Sequence, residues 1–540
     1  MRAVTAAGDG SELVRDLLRP EAYGEGRFGL VELRTTHASW VFLVGDDVWK
    51  VKRPVNLGFL DFRTPEARRQ ACEDEVRLNR RLAPDVYLGV EPVRKTSSGY
   101  AIRGDGPVVD WTVHMRRLPD DRSAQALLER GELDTSALAA VAERLASFFA
   151  ECRPAPLFGA PTVLCLNVTE NFAALAPFVA DLIDQETLDE VEVFQMSQLT
   201  QQAERFVARR AGNRIREGHG DLRLEHVYLL AGPHGKRRPI VIDCVEFNER
   251  FRCGDTASEV AFLAMELEAA GRPDLAAGFL ARFAEASNDF GLYGVVDFYL
   301  SYRACVRGKI AAFVAADPAT PTEVRVRKRS EARRDFDLAR SFGGKPVDRP
   351  FLIAVGGLIG SGKSTLALAL GRELAVPVIS SDRTRKWMAG LAPTTRAAAG
   401  SYDREEKDRT YAEIVRRAAE VLDSGRGVIL DASFSSREWR WAAAKGARAA
   451  GADFVFIEAG CSSVELLRLR LARRRYGESV SDARDDLLDD FLRQYAPLGP
   501  SDPGKRISID TSGTPATALE EALRRLGSLG IIPAAERRAS

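Results

Sequence analysis

The sequence lacks an excess of either charge and lacks closely spaced cysteine pairs. Lysine plus arginine number 77, and aspartate plus glutamate also number 77. The chain as a whole therefore has no general electrostatic attraction for nucleic acid or for an anionic membrane. Its 7 cysteines include no CxxC pair, which argues against a structural zinc site and against a disulfide framework. We expect reduced cysteines that serve as ordinary core residues.

Long apolar runs are also missing. No stretch is long and apolar enough to cross a bilayer, and the first ten residues have no apolar segment of the signal-peptide type. These absences predict a soluble protein of the cytoplasm with no membrane partner. At 540 residues the chain is too long for one hydrophobic core, so we expect two domains of ordinary size.

The first 120 residues contain signals for an antiparallel sheet followed by a helix. Two strand-like runs, at 40–44 and 48–51, flank a Gly-Asp-Asp turn, which predicts a hairpin. Thr64 followed by Pro65 predicts a helix start, with threonine as the N-cap and proline at the first helical position. We expect this helix to run to about Arg81.

The middle of the chain is rich in alanine and leucine with helical periodicity, at 123–150 and again at 171–210. A sheet-containing lobe is thus expected to give way to a helical lobe. A polar helical stretch then ends at Gly343-Gly344, and we place a domain boundary near Arg349. Beyond it, strands alternate with helices, which predicts an α/β domain with a parallel sheet covered by helices. The expected strands are 351–355, 376–380, 428–430 and 454–458.

A glycine-rich motif follows the first strand of this second part. Residues 357–364 read G-L-I-G-S-G-K-S and match G-x-x-x-x-G-K-[ST] between a strand and a helix-forming run. The glycines let backbone N–H groups turn toward phosphate oxygens, Lys363 reaches the terminal phosphates, and the Ser364 hydroxyl binds Mg²⁺. The alternative is a chance glycine-rich turn, which the strand-loop-helix context disfavours. The predicted nucleotide-binding residues are Gly357, Gly360, Ser361, Gly362, Lys363, Ser364 and Thr365.

Two acidic residues follow other strands of the same predicted sheet. Asp431 ends the strand at 428–430, where a P-loop protein holds its magnesium through water, and the alternative is a cap for the next helix. Asp382 follows the strand at 376–380. We predict that it accepts a substrate hydroxyl proton while Arg385 binds an acidic or phosphorylated partner, and the alternative is a surface turn.

Five arginines lie on a predicted helix and its exit near residue 470. Such a run is often only a solvated face. It also suits a lid that brings cations over the transferring phosphoryl group and excludes water. Both interpretations stay open from the residues alone. The five are Arg468, Arg470, Arg473, Arg474 and Arg475.

Together these motifs resemble the P-loop kinases of the gluconate kinase, chloramphenicol phosphotransferase and polynucleotide kinase group. The resemblance rests on G-x-x-G-S-G-K-S-T, S-S-D-R-x-R-K, L-D-A-S-F and the arginine-rich lid. It implies ATP and Mg²⁺ as cofactors and Asp382 as the catalytic base. It further implies Arg385 as a substrate ligand and either Arg473 or Arg474 as the lid arginine.

The first part of the chain has its own pair of acids. An H-G-D sequence at 219–221 is followed by an apolar strand and then by Val-Ile-Asp ending at Asp243. A short hairpin at this spacing brings the two acids together, Asp221 to orient or deprotonate a hydroxyl and Asp243 to hold Mg²⁺ on ATP. The charged residues upstream that strengthen the pattern are Lys50, Lys52, Glu73 and Glu75.

This pattern resembles the aminoglycoside phosphotransferase family, small-molecule relatives of the protein kinases. The resemblance implies a two-lobed α+β fold, with Lys50 as the phosphate-binding lysine, Lys52 as its rival and Glu75 as the helix partner. It also implies that residues 113–119 form the hinge that holds adenine.

In the same comparison Asp221 corresponds to the catalytic aspartate and Asp243 to the metal-binding aspartate. The family pattern H-G-D-x-x-x-x-N departs at its last position, where this sequence has His226. Imidazole is a poorer Mg²⁺ ligand than an amide oxygen, because magnesium prefers oxygen. The departure puts full activity of this lobe in doubt.

The order of the two parts is similar to that of a bacterial class in which an aminoglycoside phosphotransferase-like domain is fused to a P-loop ATP-binding domain. The sequences N-x-G-F-L-D-F and L-N-R-R-L-A-P-D-V-Y-L-G-V carry much of this similarity. It implies a kinase-like domain at 1–345, with a small lobe at 20–118 and a helical lobe at 119–345. A P-loop domain follows at 349–540.

Our leading hypothesis is a phosphotransferase with two MgATP sites that acts on a hydroxyl group of a small molecule. One alternative makes the first part a ligand-binding regulatory module, disabled by His226, and leaves only the P-loop part active. Another makes the P-loop part an ATPase switch, while the absence of N-K-x-D disfavours a GTPase. The neutral charge does not favour nucleic acid, yet the arginine cluster keeps a polynucleotide 5'-hydroxyl acceptor open.

Overall fold

A computed structural model describes residues 11–24, 29–56, 58, 60–179, 181–233, 237–318, 320–343, 349–391, 395, 403–474 and 487–533. These residues form two compact units. The first comprises the described residues up to Leu166 together with Val207–Glu266, and the second comprises Asn167–Phe206 and the described residues from Leu267 onward. This division runs differently along the chain from the domain limits expected above, 1–345 and 349–540, which remain a prediction.

The helices and strands of the first 270 residues are, in order, α1 (Ser11–Leu17), β1 (Glu32–Thr35), β2 (Ser39–Val44), β3 (Asp47–Lys52), α2 (Pro65–Asn79), β4 (Tyr87–Thr96), β5 (Gly99–Ala101), β6 (Val108–Arg116), α3 (Ala124–Glu129), α4 (Thr135–Glu151), α5 (Pro161–Leu175), α6 (Gln185–Gln201), α7 (Ala203–Ala211), β7 (Ile215–Glu217), β8 (Val227–Ala231), β9 (Arg237–Val241), α8 (Glu249–Arg252), β10 (Cys253–Asp255) and α9 (Thr256–Ala269).

Those that follow are α10 (Pro273–Ser287), α11 (Val296–Ala316), α12 (Thr322–Ser341), β11 (Phe351–Gly356), α13 (Lys363–Glu373), β12 (Val378–Ser380), α14 (Ser381–Met388), α15 (Arg404–Leu422), β13 (Val428–Asp431), α16 (Arg437–Ala449), β14 (Asp453–Gly460), α17 (Val464–Arg474), α18 (Leu488–Gln494), β15 (Lys505–Asp510) and α19 (Pro515–Ser528).

Six strands of the first unit form an antiparallel sheet in the order β1-β2-β3-β6-β4-β5. The predicted hairpin is β2 and β3, with Trp40 opposite Val51. The predicted helix is α2. The Thr64 hydroxyl accepts a hydrogen bond from the Ala67 N–H at 3.2 Å, and the helix ends at Asn79, two residues before the expected position. The antiparallel sheet with its helices confirms the predicted α+β class of this part.

The second unit contains a parallel sheet of five strands in the order β12-β13-β11-β14-β15. Its central strand β11 is buried at every position after Phe351, which explains the uninterrupted apolar sequence, since helices cover both faces of such a sheet. The α/β class is confirmed. The strand β15 was not predicted: it lies at an edge, where only Ile507 and Ile509 are buried between exposed residues.

Helices α10 and α11 pack against the parallel-sheet part within the second unit. The Arg426 guanidinium binds both carboxylate oxygens of Asp297, at 3.0 and 2.7 Å. The Arg417 guanidinium donates to Asn288 Oδ1 at 2.6 Å and to Thr384 Oγ1 at 3.2 Å. Side chains before the glycine-rich loop in sequence therefore hold helices and strands beyond it. Among the described helices, none is both long enough and apolar enough to cross a membrane.

Candidate functional site

In the first unit, Lys50 lies between two carboxylates. Its Nζ is 2.8 Å from Glu75 Oε1 on α2 and 2.6 Å from Asp243 Oδ1, just beyond β9. Burial disfavours the charged ammonium, but Asp243 and Glu75 outweigh it and raise the pKa of Lys50 well above its ordinary value. The lysine therefore stays cationic and joins the sheet, the helix and the H-G-D hairpin.

Lys52 binds the other oxygen of Glu75. Its Nζ is 2.6 Å from Glu75 Oε2 and also pairs with Glu246. The side chains of Lys52 and Glu75 are 1% and 0% exposed, whereas that of Asp243 is 43% exposed. Residues two apart on a strand share a face, so both lysines point toward the same helix. Of this cluster, Asp243 is the carboxylate that a ligand can reach.

His226 lies between Asp221 and Asp243. Its Nδ1 is 2.9 Å from the carbonyl oxygen of Asp221, and since a carbonyl only accepts, Nδ1–H donates there. The Nε2 atom is 3.6 Å from Asp243 Oδ2 and 3.7 Å from Glu225 Oε1. Burial alone would raise the pKa of Asp243, but the charges of Lys50 and His226 hold it well below its usual value. The imidazole thus lies where the family pattern has an asparagine.

The H-G-D loop is fixed by a carboxylate on α9. Glu259, which is 2% exposed, accepts hydrogen bonds from the backbone N–H groups of His219 and Gly220, each at 3.0 Å. Gly220 has φ +87°, and a methyl group there would lie 2.8 Å from the carbonyl oxygen of Phe251. Glu259 could not be recognised from the sequence, because only the packing of α9 against the loop brings its carboxylate to these N–H groups.

His219 is buried and serves the loop through its ring nitrogens. Nε2–H donates to the Ile242 carbonyl oxygen at 2.9 Å, and Nδ1 accepts from the Asp221 N–H at 3.3 Å. This neutral form satisfies both nitrogens. Burial, together with the charge of His226, lowers the pKa of His219 to about 4.

Other residues near Asp243 act as anchors. Besides Glu246, which pairs with Lys52, Asn248 caps α8 by accepting from the Arg250 N–H at 3.0 Å, and Asp255 pairs with Arg209 at 2.7 Å. His114 on β6 lies 2.7 Å from Glu91 and 2.9 Å from Asp47.

In the second unit, the glycine-rich loop connects β11 to α13 as predicted. Gly357, Gly360 and Gly362 all have positive φ, at +144°, +80° and +85°. A methyl group on Gly357 would lie 2.4 Å from the Ala459 carbonyl oxygen, so only glycine fits there. The Ser361 hydroxyl is buried and has no hydrogen-bond partner within the described part of the chain. Lys363, Ser364 and Thr365 follow at the first turn of α13.

The predicted acids meet at the same edge of the parallel sheet. Asp431 is aligned with Ser380 on one neighbouring strand and with Val355 on the other. Ser380 is the last residue of β12, and Asp382 lies two residues later in the first turn of α14. The Asp382 Oδ1 atom accepts a hydrogen bond from Arg385 Nη2 at 2.7 Å. The carboxyl ends of β11, β12 and β13 thus place the loop and both acids side by side, as expected for parallel strands.

Tyr411 on α15 lies near both acids. Its hydroxyl accepts from the Phe434 N–H at 2.8 Å and is 3.2 Å from Ser433 Oγ. Burial raises the pKa of Tyr411, and the charges of Asp382 and Asp431 add to the effect. The sequence gave no signal for this residue, since it lies inside an amphipathic helix like any core tyrosine.

The arginine-rich helix α17 approaches the loop. Arg470 donates to the Thr511 carbonyl oxygen at 2.6 Å and to the Gly360 carbonyl oxygen at 3.5 Å. Beside it is a cleft of about 270 Å³ with Gly362, Thr365, Arg473 and Thr514 among its lining residues. Arg468 instead pairs with Asp489 at 2.7 Å. Arg475 lies outside the described residues, as do residues 344–348 and His234.

The segment after β15, which begins at Thr511, forms one wall of this cleft. It was not predicted from the sequence. The Thr511 hydroxyl hydrogen is shared between two carbonyl oxygens, that of Gly460 at 2.7 Å and that of Ser361. The signal for it was weak: two isoleucines alternating with polar residues, followed by T-S-G-T-P.

A family model described as an AAA domain matches residues 352–498. An uncharacterized protein of Mycobacterium tuberculosis is 32% identical over 491 residues, covering 89% of this chain and 93% of the relative. Among solved structures, a gluconokinase from Sinorhizobium meliloti is 24% identical over 33% of this chain and 93% of its own, with a TM-score of 0.25. An aminoglycoside phosphotransferase solved with GDP and kanamycin is 14% identical over 60% of this chain and 98% of its own, with a TM-score of 0.37.

The similarity to the mycobacterial protein extends over nearly all of both chains. The chain therefore belongs to the same family as this mycobacterial protein.

Proposed function

We propose that the protein is an ATP-dependent phosphotransferase whose P-loop part transfers the γ-phosphate of ATP to a hydroxyl group of a small molecule. The observation that carries the proposal is the position of the glycine-rich loop, Asp382 and Asp431 at one edge of the parallel sheet. Phosphoryl transfer depends on positioning and charge neutralisation more than on covalent chemistry by the protein. A P-loop beside two carboxylates meets that requirement.

The loop fits a nucleotide with Mg²⁺. The three glycines leave room for phosphate oxygens, and the buried Ser361 hydroxyl has no described partner. Lys363 and the loop N–H groups would hold the phosphates, while Ser364 and, through water, Asp431 would hold Mg²⁺. MgATP bound here would supply the phosphoryl group. The cleft between Arg470, Arg473 and Thr514 would take the base, and Arg473 would lie over the phosphates.

Asp382 would bind the acceptor hydroxyl and take its proton. Arg385 holds one of its carboxylate oxygens at 2.7 Å, which fixes the direction of the side chain. Asp382 is therefore the residue we assign as general base, with Arg385 as its positioning residue and a ligand for the acceptor.

We extend the proposal to a second site at Lys50, Asp221 and Asp243. Lys50 would bind phosphate with Glu75 orienting it, Asp221 would orient the acceptor hydroxyl, and Asp243 would hold Mg²⁺. The exposed Asp243 carboxylate fits a metal ion. His226 does not offer the second oxygen ligand of the family pattern, and this favours an alternative in which the first unit binds a ligand and regulates the P-loop kinase.

An acceptor screen with separate variants tests both proposals. The full chain is incubated with MgATP and a panel of hydroxyl compounds, and acceptor-dependent ADP release is followed. Lys363→Ala should abolish P-loop transfer and Asp221→Ala should abolish transfer at the first site. Loss of all transfer in Lys363→Ala with no effect of Asp221→Ala would leave the regulatory alternative. Acceptor-independent hydrolysis alone would favour the ATPase switch.

A further inference from the structure

A second cavity of about 610 Å³ lies in the P-loop part, away from the cleft beside Arg470. Its walls come from the start of α15, the segment after β13 with the start of α16, and the end of α18. Side chains that define it are Arg404, Lys407, Ser435, Arg437 and Trp439. None of them belongs to the nucleotide-binding loop.

The cavity is rich in positive charge. Arg404 pairs with Glu438 and with Asp408, so its charge is balanced. The side chains of Lys407 and Arg437, in contrast, have no ion pair or hydrogen bond with any described residue. The Arg437 Nη2 atom is 3.4 Å from the position that a methyl group on Gly499 would take. Glu438 also lines the cavity but pairs with Arg404, so the two cations Lys407 and Arg437 line it without a carboxylate partner among the described residues.

One wall of the cavity is aromatic. The Trp439 ring stacks on Tyr411 with centroids 4.2 Å apart and planes 8° apart. Its indole N–H already donates to Asp408 at 2.7 Å, so the ring offers a ligand an apolar edge and no donor. Ser435, which carries a hydroxyl, also lines the cavity. Cations, a hydroxyl and an apolar wall together suit a small polyhydroxy compound with an anionic group.

The cavity is joined to the proposed transfer site by short, well-held segments. The Ser433 carbonyl oxygen accepts from the Gly357 N–H of the loop at 3.1 Å, and Ser435 follows two residues later. Even a fully extended chain from Asp431 to Ser435 spans at most about 14 Å. Tyr411 stacks on Trp439 of the cavity wall. It also lies close enough to Asp382 and Asp431 for their charges to raise its pKa.

Phe434 and its contacts fix the conformation of the segment that leads to Ser435. This fully buried residue has φ +46°, a conformation that costs a bulky side chain energy and persists only when its surroundings enforce it. The guanidinium of Arg440, itself 0% exposed, binds the Phe434 carbonyl oxygen at 3.1 Å and Asp502 at 2.7 Å. The segment that turns from Ser433 to Ser435 is therefore held in one shape.

We propose that this cavity is the acceptor subsite of the P-loop kinase and that the acceptor is a small hydroxyl compound with a carboxylate or phosphate group, bound by Lys407 and Arg437. The inference rests on the proposed function and deepens it. The anionic end binds in the cavity and the reacting hydroxyl points toward Asp382. Paired charge-assisted hydrogen bonds at the far end hold the acceptor in register with the loop.

The test uses the full chain saturated with Mg²⁺ and a non-hydrolysable ATP analogue. Glycerol 3-phosphate, glycerate and glycerol are titrated in turn, by calorimetry. At least one anionic probe should bind about tenfold or more tightly than glycerol, and whichever it is identifies a phosphate or a carboxylate as the anchor. Lys407→Gln and Arg437→Gln should each weaken that binding about fivefold or more. Lys445→Gln, at an exposed position of the same helix α16, should leave it unchanged.

Equal binding of all three probes, or equal binding by the wild type and both cavity variants, would overturn the proposal. Binding of the ATP analogue is measured first in every variant. Its absence in the wild type would contradict the proposed P-loop function itself, whereas analogue binding without anion selectivity would contradict only the acceptor subsite.

Discussion

The carboxylate of Glu285 on α10 accepts a hydrogen bond from the backbone N–H of Val378, the first residue of β12, at 2.9 Å. β12 lies at the edge of the parallel sheet, where unpaired N–H groups are otherwise exposed to pairing with other chains. Glu285 also pairs with Arg282. A helix that precedes the P-loop part in sequence thus fixes the edge strand that leads to Asp382.

We predict that Glu285→Ala weakens β12 locally. The Val378 N–H loses its acceptor in a buried position, which costs about 1–3 kcal/mol. Hydrogen exchange at the Val378 amide should accelerate accordingly, by about fivefold or more. Glu285→Gln keeps an acceptor oxygen and should show a smaller change. Unaltered exchange in the alanine variant would contradict the role assigned to this contact.

Gly357→Ala should abolish nucleotide binding or unfold the loop. The added methyl group would lie 2.4 Å from the Ala459 carbonyl oxygen at a φ of +144°, so the loop has to shift. Fluorescent-nucleotide titration and thermal unfolding measure the two effects. Gly278→Ala is the matched control, because nothing lies within 4 Å of that position in α10 and alanine favours a helix by about 1 kcal/mol. Normal nucleotide affinity in Gly357→Ala would contradict the loop geometry.

The first unit should lose stability as the pH falls through the range set by His219. Burial lowers its pKa from 6.5 to about 4, so below pH 6.5 the unfolded state binds a proton that the folded state does not. Stability is fully present above pH 6.5 and falls as the pH approaches 4, by roughly 3 kcal/mol for this group. Chemical unfolding followed across this range measures the slope.

His219→Gln should flatten that slope, and a slope unchanged in the variant would contradict the assignment. The contribution of His114 to stability has the opposite dependence on pH. The hydrogen bond that His114 donates to the Glu91 carboxylate raises the pKa of His114 above its ordinary value, so its contribution is present at low pH and is lost as the pH rises through the raised pKa. His114→Gln should therefore remove stability on the acid side.

His226→Asn should strengthen magnesium-dependent nucleotide binding at the first unit. The amide oxygen is a better Mg²⁺ ligand than imidazole, and His226 Nε2 lies only 3.6 Å from Asp243 Oδ2. In a Lys363→Ala background, which removes the P-loop contribution, we expect about a tenfold gain in MgATP affinity. His37→Asn, at an exposed site outside the cluster, is the control. No gain would favour a ligand other than MgATP.

The features that the sequence predicted are those set by local chemistry. Thr64 and Pro65 specify a helix start from neighbouring residues alone, and the glycine-rich loop carries its own strand and helix context. Asp382 and Asp431 could be placed at one edge because all parallel strands end on the same side. Each of these inferences needs only short segments and a sheet rule.

The remaining contacts join residues far apart in the chain. Arg470 and Thr511 meet beside Gly360, Glu285 meets Val378, and Glu259 holds the H-G-D loop. No periodic pattern of apolar residues in the sequence indicates such a pairing. The sequence likewise did not show that Lys50 and Lys52 each bind one oxygen of Glu75, and Lys50 as the phosphate-binding lysine stays a prediction.

The packing of α10 and α11 against the P-loop part has consequences for truncated versions of the chain and for its folding during synthesis. A fragment that starts at residue 349 would be synthesised without Glu285, Asn288 and Asp297. It would leave the Val378 amide, Arg417 and Arg426 facing water where they now have partners. During synthesis α10 and α11 leave the ribosome before the strands of the parallel sheet. The contacts of Val378, Arg417 and Arg426 with α10, Asn288 and α11 can therefore form as soon as the parallel-sheet part has been synthesised.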